Sequence, residues 1–257
     1  MLALTREVSP AIVHCELTHL ARVPIDLGKA MEQHAAYERA LEWLGCRVRR
    51  LPAGPDMPDS VFIEDVAVVL DEVAIITRPG AESRRIERPV VEAALAPLRP
   101  LAIIEAPGTI DGGDVLVSGR SIFIGLSSRT NAPAVDQVRA IVESHGYSVH
   151  TVRVTGCLHL KSAVTEAGKG LLLMNPAWAP APAFAGFDII DVDPTEPYAA
   201  NVVRVGERLL YPTLFPRTRR RLEDRACNVT VVDVSELAKA EGAVTCCSLI
   251  LRGQTGV

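Results

Sequence analysis

The chain has 257 residues, which is long enough to bury a substantial hydrophobic core. Hydrophobic residues make up 48% and charged residues 23%, a composition that excludes intrinsic disorder. Lys and Arg number 27 against 31 Asp and Glu, and the resulting charge of −4 argues against a protein that binds nucleic acid or anionic membranes.

The first unit that the sequence predicts is a hairpin followed by a helix and a third strand. Its strands are predicted over residues 66–70, 73–77 and 101–104, and its helix over 86–98. The same order recurs with strands over 115–117, 122–124 and 148–152 and a helix over 133–144. A third unit has strands over 163–165, 171–173 and 189–192, with a proline-rich stretch around Trp178 in place of a regular helix. A fourth has strands over 202–205, 208–211 and 229–232 and a helix over 217–226.

The hairpin turns give the repeat its spacing. They fall at Asp71, Gly119, Gly168 and Gly206, which are 48, 49 and 38 residues apart. A fifth unit can be assembled only from both ends of the chain, with strands over 246–251, 2–5 and 47–51 and a helix over 28–44. Such a unit closes a ring and removes exposed sheet edges. We therefore predict one α/β domain over residues 1–257, a five-bladed propeller of ββαβ units closed through the N- and C-terminal strands. An ordinary α/β sandwich with several hairpins is the alternative.

Cysteine usage and the absence of long apolar segments bear on the cellular location. The six cysteines, at positions 15, 46, 157, 227, 246 and 247, contain no CxxC pair. No apolar run approaches the roughly 20 residues that span a bilayer, and the N-terminus lacks a secretory pattern. We expect a cytoplasmic protein without a disulfide framework.

Reactive residue types stand just before or at the first strand of several units: Glu64, Asp65, Asp111, His159 and Cys246. In a propeller the starts of equivalent strands converge on the central axis, so these side chains are expected to face one another. A thiolate, an imidazole and a carboxylate are the set that nucleophilic catalysis needs. Each of the three also has a structural interpretation, as a buried thiol, a core histidine or a turn aspartate. Cys247 is expected on the opposite strand face from Cys246.

The adjacent acids Glu64 and Asp65 lie in an otherwise apolar segment, residues 61–66, which we interpret as a strand. Buried carboxylates need a cationic partner. That partner is either an internal arginine or a cationic ligand, for which a guanidinium is the natural candidate.

Six segments of the chain resemble the dimethylarginine dimethylaminohydrolase family. They are PDSVFIED (58–65), ITRPGAESRR (76–85), DGGD (111–114), IGLSSRTN (124–131), LHLK (158–161) and TCCS (245–248). The family belongs to the guanidine-modifying superfamily, so the resemblance implies the five-bladed pentein fold. For catalysis it implies Cys246 as nucleophile, His159 as general acid and base, and Asp111 as the carboxylate that orients His159.

For substrate binding the resemblance implies a second set of residues. Glu64 and Asp65 would hold the guanidinium, Asp59 the α-amino group, and Arg84 and Arg129 the α-carboxylate. Phe62 would pack on the substrate, and Leu17 would belong to a mobile lid over the site.

The predicted function is hydrolysis of Nω-methylated arginine to citrulline and a methylamine through a covalent thiouronium on Cys246. No metal or organic cofactor is implied, the expected partner is a small-molecule substrate, and a homodimer is left open. An arginine deiminase, an amidinotransferase, a silent binder of arginine analogues and a zinc scaffold on Cys246 and His159 are the alternatives. Arginine deiminases have longer chains than this one and carry a helical insertion that we do not find in this sequence.

Overall fold

The computed structural model describes residues 1–253, and in this part of the chain every strand belongs to one of five three-stranded sheets. The strands are β1 (Leu2–Arg6), β2 (Arg47–Leu51), β3 (Ala67–Val69), β4 (Ala74–Ile76), β5 (Leu101–Ile103), β6 (Val115–Ser118), β7 (Ser121–Leu126), β8 (Ser148–Arg153), β9 (Val164–Gly168), β10 (Leu171–Met174), β11 (Asp188–Asp191), β12 (Val203–Val205), β13 (Arg208–Pro212), β14 (Asn228–Val232) and β15 (Leu249–Leu251). The last four positions of the predicted 1–257 domain lie outside the described residues.

Helices connect the second and third strands of most units. The α-helices are α1 (Leu27–Trp43), α2 (Arg88–Leu95), α3 (Ala132–Val142), α4 (Leu160–Ala163), α5 (Pro216–Asp224) and α6 (Ser235–Ala238). The 3₁₀ helices are Ile12–His14, Ile63–Val66, Glu82–Glu87, Gly112–Asp114, Glu143–His145 and Ala181–Phe184. Along residues 1–253, the structure contains no helix with the length and apolar character of a membrane span.

Local signals in the sequence explain where the longer helices begin. The Asp26 side chain accepts a hydrogen bond from the backbone N–H of Lys29 and caps α1, and Asn131 caps α3 through the N–H of Ala134. Proline stands in the first turn of α2, α3 and α5, where its missing N–H costs nothing. The proline-rich third unit forms only the short 3₁₀ helix Ala181–Phe184 there, as predicted.

Each sheet has the same strand order and directions. A central strand pairs antiparallel with the first strand of its unit and parallel with the third, as β4 does with β3 and β5. In the unit that joins both ends of the described chain, β1 pairs antiparallel with β15 and parallel with β2. Strand-bearing units therefore repeat five times, as the sequence predicts.

Contacts between neighbouring sheets run around the molecule. Strand β15 contacts β3, β6 contacts β9, and β9 contacts β12. The 3₁₀ helices Ile63–Val66 and Gly112–Asp114 join the β3 and β6 units, while α1 packs on α6 and β14 and so brings the fifth unit against the fourth. First strands thus lie toward the middle and helices toward the outside, which places the turns before the first strands near one another.

Two of these turns differ from the sequence expectation. Residues 61–66 are not a strand, because the N–H of Asp65 bonds the carbonyl of Phe62 and residues Ile63–Val66 close into a 3₁₀ helix. The strand expected over 246–251 begins only at Leu249. Cys246 lies in a turn, where its backbone N–H donates a hydrogen bond to the carbonyl of Ala243. The alternation of strand faces therefore does not apply to Cys246 and Cys247.

Candidate active site

The turns before the first strands enclose a small cavity of about 20 Å³, the space of about one water molecule. Its lining residues are Glu16, Asp59, Phe62, Asp65, Arg84, Asp111, Arg129, Leu158, His159, Ala240, Glu241, Gly242 and Cys246. The structure thus brings together eight of the ten residues predicted for the site. Glu64 and Leu17 do not line the cavity.

His159 is held by two carboxylates. It precedes α4, and its Nε2 lies 3.0 Å from Oδ2 of Asp111, while its Nδ1 lies 3.9 Å from Oδ1 of Asp65. Asp111 is fixed in turn by the backbone N–H of Gly80, which donates to Oδ1 at 2.9 Å. A Cβ on Gly113 would lie 2.6 Å from Nδ1 of His159, so only glycine permits this approach of backbone to imidazole.

Asp114 anchors both partners of this pair through the backbone. Its fully buried carboxylate accepts hydrogen bonds from the N–H of Leu160 at 2.9 Å and from the hydroxyls of Ser127 and Thr130 at 2.6 Å each. The same Thr130 hydroxyl accepts the N–H of Asp111 at 3.3 Å. The second aspartate of the DGGD segment therefore ties His159 and Asp111 to one support.

The buried charges set the protonation states of the reactive groups. Burial opposes a charged imidazole, but Asp65, Asp111 and Asp114 together raise the pKa of His159 to about 9. Burial, together with the carboxylates of Glu64 and Asp65, raises the pKa of the Cys246 thiol to about 12. At neutral pH the site therefore holds a neutral thiol beside a protonated imidazole.

Arg84 is the internal partner of Asp65. Its Nη1 donates to Oδ2 of Asp65 at 2.5 Å, and its Nε and Nη2 donate to the carboxylate of Glu87 at 3.0 and 2.9 Å. Although burial favours the neutral acid, His159 and Arg84 lower the pKa of Asp65. Asp65 stays ionised, and Arg84 lines the cavity with most of its donors already engaged.

Glu64 faces away from the cavity that contains Cys246. Its Oε1 accepts a hydrogen bond from Nζ of Lys161 at 2.5 Å, and its Oε2 accepts one from the Thr245 hydroxyl at 2.8 Å. It lines a second cavity of about 320 Å³ together with Lys161 and Thr245. Its backbone N–H donates to the carbonyl of Cys246 at 3.1 Å, so it supports the nucleophile's turn.

The remaining predicted binding residues lie at one end of the cavity. Asp59 is buried and accepts the N–H of Glu16 at 3.1 Å, and burial raises its pKa to about 6. Arg129 donates to the hydroxyl of Thr18 at 3.2 Å and, within residues 1–253, forms no ion pair. Leu17 is partly buried against the core that includes α1, beside the cavity. An acid and an unpaired cation thus stand close to the catalytic groups.

Known proteins share this sequence and structure. The N(G),N(G)-dimethylarginine dimethylaminohydrolase of Streptomyces coelicolor is 42% identical over 251 residues, which cover 97% of this chain and 96% of that protein. The protein of the same name from Pseudomonas aeruginosa is 42% identical over 226 residues, covering 87% and 89%. A solved structure of the Pseudomonas aeruginosa protein, a cysteine-to-serine variant in complex with citrulline, matches with a TM-score of 0.92 at 39% identity and covers 96% of this chain and 97% of that one.

The family described as "N,N dimethylarginine dimethylhydrolase, eukaryotic" matches residues 22–171. This chain belongs to the dimethylarginine dimethylaminohydrolase family. It is a hydrolase with the pentein fold, and the family membership, enzyme class and fold class predicted from the sequence are confirmed. The enzyme acts on a small molecule.

The sequence of this dimethylarginine dimethylaminohydrolase family member did not indicate a role for four residues of the site. They are Glu87, Asn201, Glu241 and Thr245. Asn201 donates to the Lys161 carbonyl at 3.0 Å and accepts the N–H of Thr245 at 3.0 Å, and so fixes the residue before the nucleophile. A polar residue after the small residues Ala199 and Ala200 was the available signal for Asn201. Glu241 and Thr245 gave no signal of their contacts, because their partners are remote in the chain. Glu87 stands three residues after Arg84, and that spacing was its available signal.

The residues with metal-ligand spacing differ from Cys246 and His159, the pair that the sequence offered as a zinc scaffold. In the described part of the chain, the cluster with metal-ligand spacing consists of Asp65, Asp111 and His159, whose ligand atoms lie within 4.8 Å of one another. Cys246 is not in this cluster. Asp65 and Asp111 already accept hydrogen bonds from Arg84 and from the N–H of Gly80, so the carboxylates of this cluster have hydrogen-bond donors as partners.

Proposed function

We propose that this enzyme hydrolyses Nω-methylated arginine, both asymmetric dimethylarginine and monomethylarginine, to L-citrulline and dimethylamine or methylamine. One observation carries the proposal: Cys246 and the His159–Asp111 pair line the same cavity as the carboxylates of Asp59 and Asp65. The cavity therefore combines a nucleophile and a proton donor with anionic groups for a cationic substrate.

The substrate guanidinium is placed against Asp65, whose buried charge favours a planar cation with paired donors. Glu64 is the second carboxylate proposed for this group. The oxygens of Glu64 already accept hydrogen bonds from Lys161 and Thr245, so Asp65 makes the direct contact with the guanidinium. Glu64 attracts the guanidinium through its charge, without direct contact. Phe62 lines the wall and packs on the substrate.

The amino acid end of the substrate is placed toward Asp59 and Arg129. Asp59 is a buried carboxyl with a raised pKa, and an α-ammonium group supplies the cation that would keep it ionised. Arg129 makes the first contact with the α-carboxylate, since Arg84, the other proposed partner, already donates to Asp65 and Glu87. Leu17 belongs to the segment that closes over this end.

The reaction follows from the resting protonation states. A bound guanidinium adds a positive charge beside Cys246 and so lowers the pKa of its thiol. The thiol proton passes to solvent, and the thiolate attacks the guanidinium carbon. His159 gives its proton to the departing dimethylamine, and a thiouronium remains on Cys246. The neutral His159 then takes a proton from water, whose oxygen attacks the same carbon, and the carbon–sulfur bond breaks to release citrulline and the thiol.

We further propose that residues 1–257 act as one catalytic domain, in the cytoplasm, as a homodimer. The single ring of five sheets supports one catalytic domain. The six unpaired cysteines support a location in the cytoplasm, where thiols stay reduced. Exposed apolar side chains on α1, Met31 and Trp43, are candidates for a subunit contact. Light scattering of the purified chain tests the dimer.

Citrulline formation tests the function. Asymmetric dimethylarginine, monomethylarginine and arginine are compared at equal subsaturating concentrations, and the methylated compounds should react faster. A methyl group contributes only about 1–3 kcal/mol of selectivity, so the preference should be roughly 10–200-fold. A preference for arginine would replace the substrate assignment by a deiminase, and no turnover of any compound would favour a binding protein.

A further inference from the structure

We propose that Glu241 is a latch that holds the cover segment, residues 15–22, closed over the catalytic cavity, and is thereby a positioning residue for the reaction. Its carboxylate accepts the backbone N–H groups of three consecutive residues. Oε1 receives Thr18 at 3.0 Å, His19 at 2.5 Å and Leu20 at 2.6 Å, and Oε2 receives Thr18 at 3.1 Å. The latch itself does not depend on the substrate, but its effect on turnover rests on the proposed function.

Cys15 buries the start of the cover segment in the core, and Leu17 packs against the same core, but residues 18–20 have little besides Glu241 to hold them in place. Thr18 and His19 are exposed, and residues 15–20 contain no helix or strand. Its other polar contacts lie on either side of the latched residues or on a side chain. Glu16 donates its N–H to Asp59 and accepts the Ser83 hydroxyl, Arg22 donates to the carbonyls of Val13 and Cys15, and Arg129 donates to the Thr18 hydroxyl. Segments with few buried apolar contacts open most readily, so three hydrogen bonds to one charged group are a large share of what keeps residues 18–20 closed.

The segment must open for the enzyme to work. The cavity of about 20 Å³ has no room for an amino acid, and Glu16 from the segment and Glu241 from the opposite side both line it. His19, Leu20 and Glu241 also line an adjoining apolar cavity of about 210 Å³. Release of the three N–H groups from Glu241 therefore opens both cavities at the same edge.

The backbone at Glu241 supports a specific use of its side chain. Its φ is +57°, a left-handed conformation that is unfavourable for a residue with a Cβ. Among residues 1–253, one other non-glycine residue, Ala226, has a positive φ, also 57°, and it follows α5. A glycine would remove the strain at either position, but at 241 it would also remove the carboxylate.

The latch is built on the loop of the nucleophile. Gly242 follows it, and a Cβ there would lie 2.1 Å from the ring of Phe62, so the turn packs directly on the cavity wall. Cys246 lies four residues further along, in the next turn of the same loop. Thr18, bound by Glu241, also accepts the hydrogen bond from Arg129, the proposed carboxylate ligand. A carboxylate at Arg129 would therefore meet the latched segment directly.

Three variants test the latch by hydrogen exchange and by thiol alkylation. Glu241→Gly removes the carboxylate and the strain, Glu241→Gln keeps a neutral acceptor, and Ala226→Gly removes the same strain away from the site. Exchange of the amides of Thr18, His19 and Leu20 should be roughly 10–100-fold faster in Glu241→Gly, from the loss of charged hydrogen bonds, and intermediate in Glu241→Gln. Iodoacetamide should label Cys246 faster in the same order, as peptide mass mapping shows.

The control separates the latch from relief of strain. Ala226→Gly should leave the amide exchange of the cover segment and the alkylation of Cys246 unchanged. Equal exchange in the wild-type protein and both Glu241 variants, or faster exchange in Ala226→Gly as well, would overturn the proposal. With asymmetric dimethylarginine, Glu241→Gly should raise KM more than it lowers kcat. If no variant turns over a methylated arginine, the proposed function fails, whereas the exchange and alkylation results still decide on the latch.

Discussion

Replacing Asp65 by asparagine tests the charge arrangement at the centre of the site. The substitution keeps the shape of the side chain but removes the carboxylate that accepts Arg84 Nη1 at 2.5 Å and the N–H of Gly113 at 3.0 Å. An amide oxygen can serve only one of these two donors, and its NH₂ group then faces the other. The guanidinium of the substrate loses the partner that we place against it.

The expected loss follows from the hydrogen bonds involved. A hydrogen bond to a charged group contributes about 1.5–3 kcal/mol, which corresponds to a decrease in kcat/KM of roughly 10–150-fold. A second effect is specific to this geometry. Asp65 gives the strongest charge–charge attraction among those that raise the pKa of His159 to about 9, so in Asp65→Asn this pKa should fall toward its ordinary value.

Citrulline formation measured across pH reports both effects, and two control variants locate their origin. Glu87→Gln loosens Arg84 but leaves the charge of Asp65 in place, so it should shift the pKa of His159 less than Asp65→Asn does. Glu82→Gln removes an exposed carboxylate that pairs with Arg85 and should change little. If Asp65→Asn folds and retains near-normal kcat/KM and an unchanged His159 titration, Asp65 is structural and the reasoning is wrong.

Three further outcomes are expected. Cys246→Ser should abolish turnover, whereas Cys247→Ser, which changes a fully buried thiol outside the cavity, should retain most of it; the reverse result in a citrulline assay would exchange the two assignments. Because the folded-state pKa of His159 lies above its ordinary 6.5, the charged ring stabilises the fold fully below pH 6.5, and this contribution, on the order of 3 kcal/mol, should be lost as pH rises through about 9. Urea unfolding of the wild-type protein and His159→Asn at both pH values measures it, and a constant difference between them would contradict it. Arg129→Ala should lower kcat/KM for asymmetric dimethylarginine at least about 10-fold, but should not affect a methylated agmatine, which lacks the carboxylate; equal losses for both would remove Arg129 from carboxylate binding.

The repeat and the identity of the reactive groups could be predicted from the sequence. Alternating apolar runs, turn residues at Asp71, Gly119, Gly168 and Gly206, and helices that begin at prolines or capping residues are local signals, so strands, turns and helices could be predicted within a few residues. The need to complete a fifth unit from both ends of the chain followed from the same pattern. Residues that stand at equivalent places in such a repeat meet at its centre, which is why Cys246, His159 and Asp111 could be grouped by their positions in the chain.

How these groups are held depends on tertiary contacts. The segment around Glu64 and Asp65 has the composition of a strand, but it curls into a 3₁₀ helix because its side chains and the N–H of Glu64 bind partners from other units. The separation of the two acids, one on Arg84 and one on Lys161, depends on residues 19 and 97 positions away in the chain. The Glu241 latch joins residues 223 positions apart. Such contacts have no local signature, because packing within and between the units brings their partners together and local conformational preference does not.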